Sequence, residues 1–153
     1  MIAKYNGKYF CVDFSVRPIE LWKYEKVEGF EKCIDDGLVY YRKFVNFDEI
    51  DEIFEVGFSV CWDGQWCGID YSPTKEILTL ITNNGSFGLS HNMYEFERGV
   101  YAYPLPASDF MEFRMWKRML HDDDGIYTML NYNEFKMFWE IMETDLFPPR
   151  KSL

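Results

Sequence analysis

The chain of 153 residues holds only two imidazoles, His91 and His121, and they stand thirty residues apart. Nucleophilic catalysis needs a Ser or Cys beside a base. His91, in Ser90-His91-Asn92 on a polar loop expected between two strands, is one candidate for that base. Neither histidine belongs to an H-x-x-x-H ligand spacing. The cysteines are Cys11, Cys33, Cys61 and Cys67, and none forms the C-x-x-C pair of a zinc ribbon or a thioredoxin-like site. Cys61 and Cys67 flank Trp62-Asp63-Gly64-Gln65-Trp66, which reads as a hairpin tip. A three-residue loop over 63–65 would set the two thiols opposite each other, although reduced, buried cysteines are the default inside a cell.

Phosphate loops of the G-x-G-x-x-G or Walker type are absent, and so is G-x-S-x-G. Asp122, Asp123 and Asp124 precede Gly125, but the run does not meet the spacing of a calcium-binding EF-hand. The residues therefore predict no catalytic group, no metal site and no cofactor.

The elements around these residues read as one α+β domain. Asn6-Gly7 supplies the positive φ angles of a type I′ hairpin between 2–5 and 8–14. Further strands are expected over 18–24, 38–45, 56–62, 67–71, 76–82 and 94–98. Asn84-Gly85 is expected to form another two-residue turn, into a strand over 86–90. Ile50, Ile53 and Phe54 follow the i, i+3, i+4 rule after Asp48, which predicts a short helix over 48–54. Phe110, Phe113, Trp116 and Leu120 predict a helix from Ser108 to the Asp122 run. Phe135, Phe138, Trp139 and Met142 predict a second from about 133 to 143, stopped by Pro148-Pro149. Strands first and helices last describe a largely antiparallel meander packed against two C-terminal helices.

Composition narrows the partners. The 26 acidic residues outnumber the 16 basic ones, leaving a net charge of -10. That surplus is concentrated in two stretches, with -7 over residues 31–70 and -4 over residues 121–153. A nucleic-acid binder needs cations to displace counterions from phosphates, and an anionic membrane makes the same demand. A basic protein would instead be steered in by such a field. The same charges also keep a chain with 20% aromatic residues in solution. No apolar run nears the roughly 20 residues of a membrane span, and no basic, apolar leader opens the chain, so a cytoplasmic protein is expected.

In length, acidity, Trp and Tyr richness and α+β order the chain resembles the immunity proteins of bacterial polymorphic toxin systems, including contact-dependent growth inhibition. The segment Phe58-Ser59-Val60-Cys61-Trp62-Asp63-Gly64-Gln65-Trp66 is typical of that likeness. The resemblance implies a protein that binds a cognate toxin domain, for example a nuclease with a basic substrate surface, to occlude its active or substrate surface; a monomer is expected for the free protein. It implies no catalytic residue. The surface expected to do so joins Asp48, Glu49, Asp51 and Glu52 to Trp62, Asp63 and Trp66, with Asp122, Asp123 and Asp124 as a second patch. Two tryptophans beside a turn would serve as anchors, or would pair across the hairpin and merely stabilise it. The rival readings are a small carboxylate-dependent hydrolase or transferase, and a homodimeric structural or assembly protein.

Overall fold

The computed structural model describes residues 1–109, 111–144 and 146. It is an α+β protein whose strands pair in antiparallel fashion throughout the described registers. In chain order these are β1 (Ile2–Tyr5), β2 (Lys8–Asp13), β3 (Ile19–Lys23), β4 (Glu31–Asp35), β5 (Leu38–Val45), β6 (Glu52–Trp62), β7 (Gln65–Ser72) and β8 (Ile77–Thr82). Helix α1 (Gly85–Ser90) follows, then β9 (Tyr94–Glu97), β10 (Val100–Pro106), β11 (Glu112–Met119), β12 (Ile126–Leu130) and helix α2 (Tyr132–Trp139). A 3-10 turn at Phe47–Glu49 precedes β6, and a π turn at Glu140–Thr144 extends α2. Among the described residues no helix is long and apolar enough to cross a membrane.

The chain divides into two compact units. The first comprises Met1–Val56, Lys117–Gly125 and the described residues from Met137 onward. Its strands lie in the order β4-β5-β3-β2-β1, with the start of β6 beside β1. Alternation along β3 buries Ile19, Leu21 and Lys23 and leaves Glu20 and Trp22 on the other face. Ala3, Tyr5, Phe10, Leu21, Val27, Val45 and Ile53 form the core. Lys23 is buried with its ammonium 5.3 Å from the Phe10 ring and 3.1 Å from Glu25, which keeps its charge compensated. The Cys11 thiol donates to the Leu146 carbonyl at 3.4 Å, and burial pushes it up to about 11, so it stays a protonated thiol. All four cysteines are free.

The second unit comprises Gly57–Trp116 and Ile126–Lys136. Here the end of β6, β7, β8, β10 and β9 lie in that order, with β8 central as its apolar faces require. Its interior is aromatic: Phe113 stacks on Phe135 at 4.5 Å and on Tyr132 at 5.7 Å. The Tyr71 and Tyr132 hydroxyls share a hydrogen bond of 2.8 Å, and burial raises the Tyr132 phenol well above its ordinary value. Asn131 and Glu134 cap α2 reciprocally, each backbone N–H donating to the other's side chain, at 3.0 and 2.8 Å.

Several expectations need correction. Only one of the two C-terminal helices exists among the described residues, because 112–119 is strand β11. Phe113 and Trp116 lie an odd number of residues apart, so on a strand they serve opposite faces. That two-sided burial imitates helical spacing. The helix expected over 48–54 shrinks to the 3-10 turn, since Ile53 and Phe54 pair with Ala3 and Ile2 of β1. The turn and strand expected at 84–90 are helix α1, which Asn84 caps by accepting the Phe87 N–H at 3.1 Å. Phe110 and the Pro148-Pro149 stop lie outside the described residues.

Asp63-Gly64 closes a two-residue loop, with φ angles of 49° and 81°. Cys61 therefore faces Trp66, and Cys67 faces Val60. The one-residue change of register places the two thiols on opposite faces of the hairpin.

Gly88 of α1 yields a first prediction. A Cβ there would lie 2.5 Å from Cγ and 2.9 Å from Cβ of Tyr101, the rigid root of a buried side chain. Alanine's helix preference, worth about 1 kcal/mol over glycine, is outweighed by overpacking of about 1–3 kcal/mol. Gly88→Ala is thus expected to lower the unfolding free energy in urea titrations; a gain would refute the close approach.

Candidate functional site

The acidic residues singled out in the sequence do not all keep free charges. Glu49 caps the 3-10 turn by accepting the Asn46 N–H at 2.6 Å. Glu52 is 3.5 Å from the Lys117 ammonium. Asp48 and Asp51 are exposed, and neither makes an ion pair among the described residues. Asp122, Asp123 and Asp124 are also exposed, and they follow strand β11 rather than a helix.

Folding of the first unit brings the two acidic stretches together. The Leu120 N–H donates to the Ile53 carbonyl at 3.0 Å, which sets the end of β11 beside the start of β6. Between them lies a cleft of about 210 Å³, walled by Phe47, Ile50, Asp51, Glu52, His121 and Asp122 among others. Phe47 is 52% exposed at this cleft, with the His121 ring 6.5 Å away. An exposed phenyl ring among uncompensated carboxylates is suited to grip a basic, partly apolar surface.

Trp62, Asp63 and Trp66 belong to the second unit. Trp62 faces Gln65 across the hairpin, so the two tryptophans occupy opposite faces and do not pair with each other across the strands. Trp62 stacks on Tyr103 at 5.2 Å and meets the edges of His91 and Phe87 at 5.1 and 5.8 Å. Trp66 lies under the Arg114 guanidinium, which is 4.1 Å from its ring and 4.1 Å from that of Tyr127. The same guanidinium donates from Nε to the Ser59 hydroxyl at 2.9 Å. Both indoles are half-buried and engaged within the chain, so the anchoring role expected of them is weakened. Arg114 and Tyr103 were not legible as their partners, because each comes from a strand remote in sequence.

His91 caps the C-terminus of α1 rather than sitting on a loop between strands. Its Nε2 lies 2.8 Å from the Asp63 carboxylate, and its Nδ1 2.9 Å from both the Phe87 carbonyl and the Ser90 hydroxyl. Ser, His and Asp are thus collected at one place, with the carboxylate at Nε2 and the carbonyl and hydroxyl at Nδ1. A carbonyl only accepts, so Nδ1 carries a proton and cannot take one from Ser90. The carboxylate likewise selects a proton on Nε2. The imidazolium latches α1 to the hairpin tip, at a helix end where positive charge is favoured.

The hydrogen bond to Asp63 raises the His91 pKa above the ordinary imidazole value, and the Phe87 carbonyl adds to it. A raised folded-state pKa means the latch contributes its full stability below the unfolded-state value. That contribution is lost as pH rises through the folded-state value. NMR titration should therefore place the His91 midpoint above that of an unstructured peptide, with stability declining across the same window. In Asp63→Asn both effects should shrink; an unchanged midpoint would refute the latch.

Compared with protein-family models, with curated proteins and with solved structures, the chain matches none.

Proposed function

We propose that this protein is an immunity protein, acting in the cytoplasm, that binds a basic bacterial toxin domain and occludes its active or substrate surface. The observation that supports the reading is the cleft in the first unit. Asp51 and Asp122, seventy-one residues apart in sequence, converge there beside exposed Phe47. Binding chemistry of this kind steers a cationic partner by charge and holds it by an aromatic anchor. The proposed contact surface is Asp48, Asp51, Asp122, Asp123 and Asp124 around Phe47, with Glu49 and Glu52 shaping the rim.

The test is co-purification with the toxin domain encoded beside this protein's gene, at low and high salt, together with survival of cells expressing that domain. A stoichiometric complex, weakened by salt, with rescue of growth is the expected result. Absence of both complex and protection would overturn the reading.

A further inference from the structure

A second cavity lies in the first unit, away from the residues that the sequence singled out. It holds about 220 Å³ and is walled by Glu20, Trp22, Tyr24, Asp35, Leu38 and Tyr40. Register explains the assembly. Trp22 of β3 faces Arg42 of β5, Cys33 of β4 faces Tyr40, and Asp35 faces Leu38, so these side chains share one face of three adjacent strands. The rings of Tyr24 and Tyr40 stand nearly upright to Trp22, at 5.6 Å and 89° and at 6.2 Å and 73°. Three aromatic walls thus meet two carboxylates.

The charges of this cavity are not balanced from within. Arg42 shares this face, but its Nε is 3.2 Å from Glu31 and its guanidinium sits over the Phe44 ring at 5.2 Å. Its approach to Glu20 is a long 4.0 Å, although the Glu20 side chain is only 18% exposed. Asp35 makes no ion pair among the described residues, and no Lys or Arg lines the cavity. A partly sheltered carboxylate, bordered by π faces and short of a counter-charge, attracts a cation.

We propose that this cavity receives one arginine side chain presented by a partner protein. Its volume lies below the roughly 300–1,000 Å³ of pockets for drug-sized ligands, and suits a single side chain. A planar guanidinium stacks on aromatic faces while forking to carboxylates, which a lysine ammonium does not match. The inference deepens the reading above: it rests on a basic partner and names the residue that partner inserts.

The probe is Nα-acetyl-argininamide, titrated into the full chain while the indole N–H signals are followed by NMR, with Trp22→Phe assigning the Trp22 signal. A saturable shift of that signal is expected, with a Kd of the order of millimolar for one isolated side chain. The neutral citrulline analogue should leave it unmoved, and the lysine analogue should bind several-fold more weakly. Glu20→Gln with Asp35→Asn, which preserve shape, should weaken the arginine probe about tenfold. Absence of saturation, equal shifts from citrulline, lysine as tight as arginine, or an unchanged Kd in the double variant would each overturn the proposal. No toxin enters this titration, so an empty pocket and a failure to protect cells are separate results.

Discussion

Replacing Phe135 with alanine is expected to cost about 3–5 kcal/mol of stability, the range for removing a large aromatic side chain from a packed core. Phe135 is fully buried. It stacks on Phe113 at 4.5 Å and 13°, and meets Phe58 and Tyr71 edge-on at 5.6 and 5.3 Å. Its loss leaves a cavity that flat, stiff rings cannot collapse to fill. Because small domains are stable by only about 5–15 kcal/mol, the urea midpoint should fall far enough to be read by circular dichroism without further analysis. Met137, two residues along the same helix and 52% exposed, supplies the comparison. Met137→Ala is expected within about 0.5 kcal/mol of the parent. Equal losses at the two positions would mean that the aromatic stack does not hold the second unit together.

The other large effect concerns association. Asp48→Asn, Asp51→Asn and Asp122→Asn together should slow association with the basic toxin domain proposed as partner about 10- to 100-fold at low salt, because steering by a charged surface multiplies on-rates by such factors. The dissociation rate should change less, and the salt dependence of the on-rate should flatten. Glu49 and Glu52 are better left alone, since one caps a turn and the other pairs with Lys117. Phe47→Ala should act in the opposite way, speeding dissociation with little change in the on-rate, as removal of a desolvated aromatic anchor does. Association kinetics measured at two ionic strengths distinguish these outcomes. Unchanged rates in the triple variant would remove the cleft from the binding surface.

What the sequence determined by itself is local. Asn6-Gly7 and Asp63-Gly64 demand positive φ at successive residues, and the hairpins stand where those dipeptides stand. Asp36-Gly37 carries the same signal, with φ angles of 47° and 78°. It makes the β4–β5 hairpin, in which Asp35 faces Leu38 across the turn. Helix α2 is legible because Phe135, Trp139 and Met142 repeat at helical spacing without a competing period. Acidity and aromatic richness, likewise, are properties of composition alone.

The tertiary structure decided everything that depends on a remote partner. Residues 112–119 could satisfy their backbone as a helix or as a strand, and β11 is a strand because β6 and β12 supply hydrogen-bond partners on its two sides. A one-residue difference in loop length separated Cys61 from Cys67 and sent Trp62 and Trp66 to opposite faces, since side chains alternate with every residue. The acidic cleft needs Asp51 beside Asp122, and the aromatic cavity needs β3, β4 and β5 in one register. Turn and helix signals act over a few residues through φ, ψ and nearest-turn contacts. Pairing and burial act between segments tens of residues apart, and one strand's apolar pattern suits more than one neighbour. Only folding selects which neighbour it meets, and therefore which carboxylates and rings come to share a site.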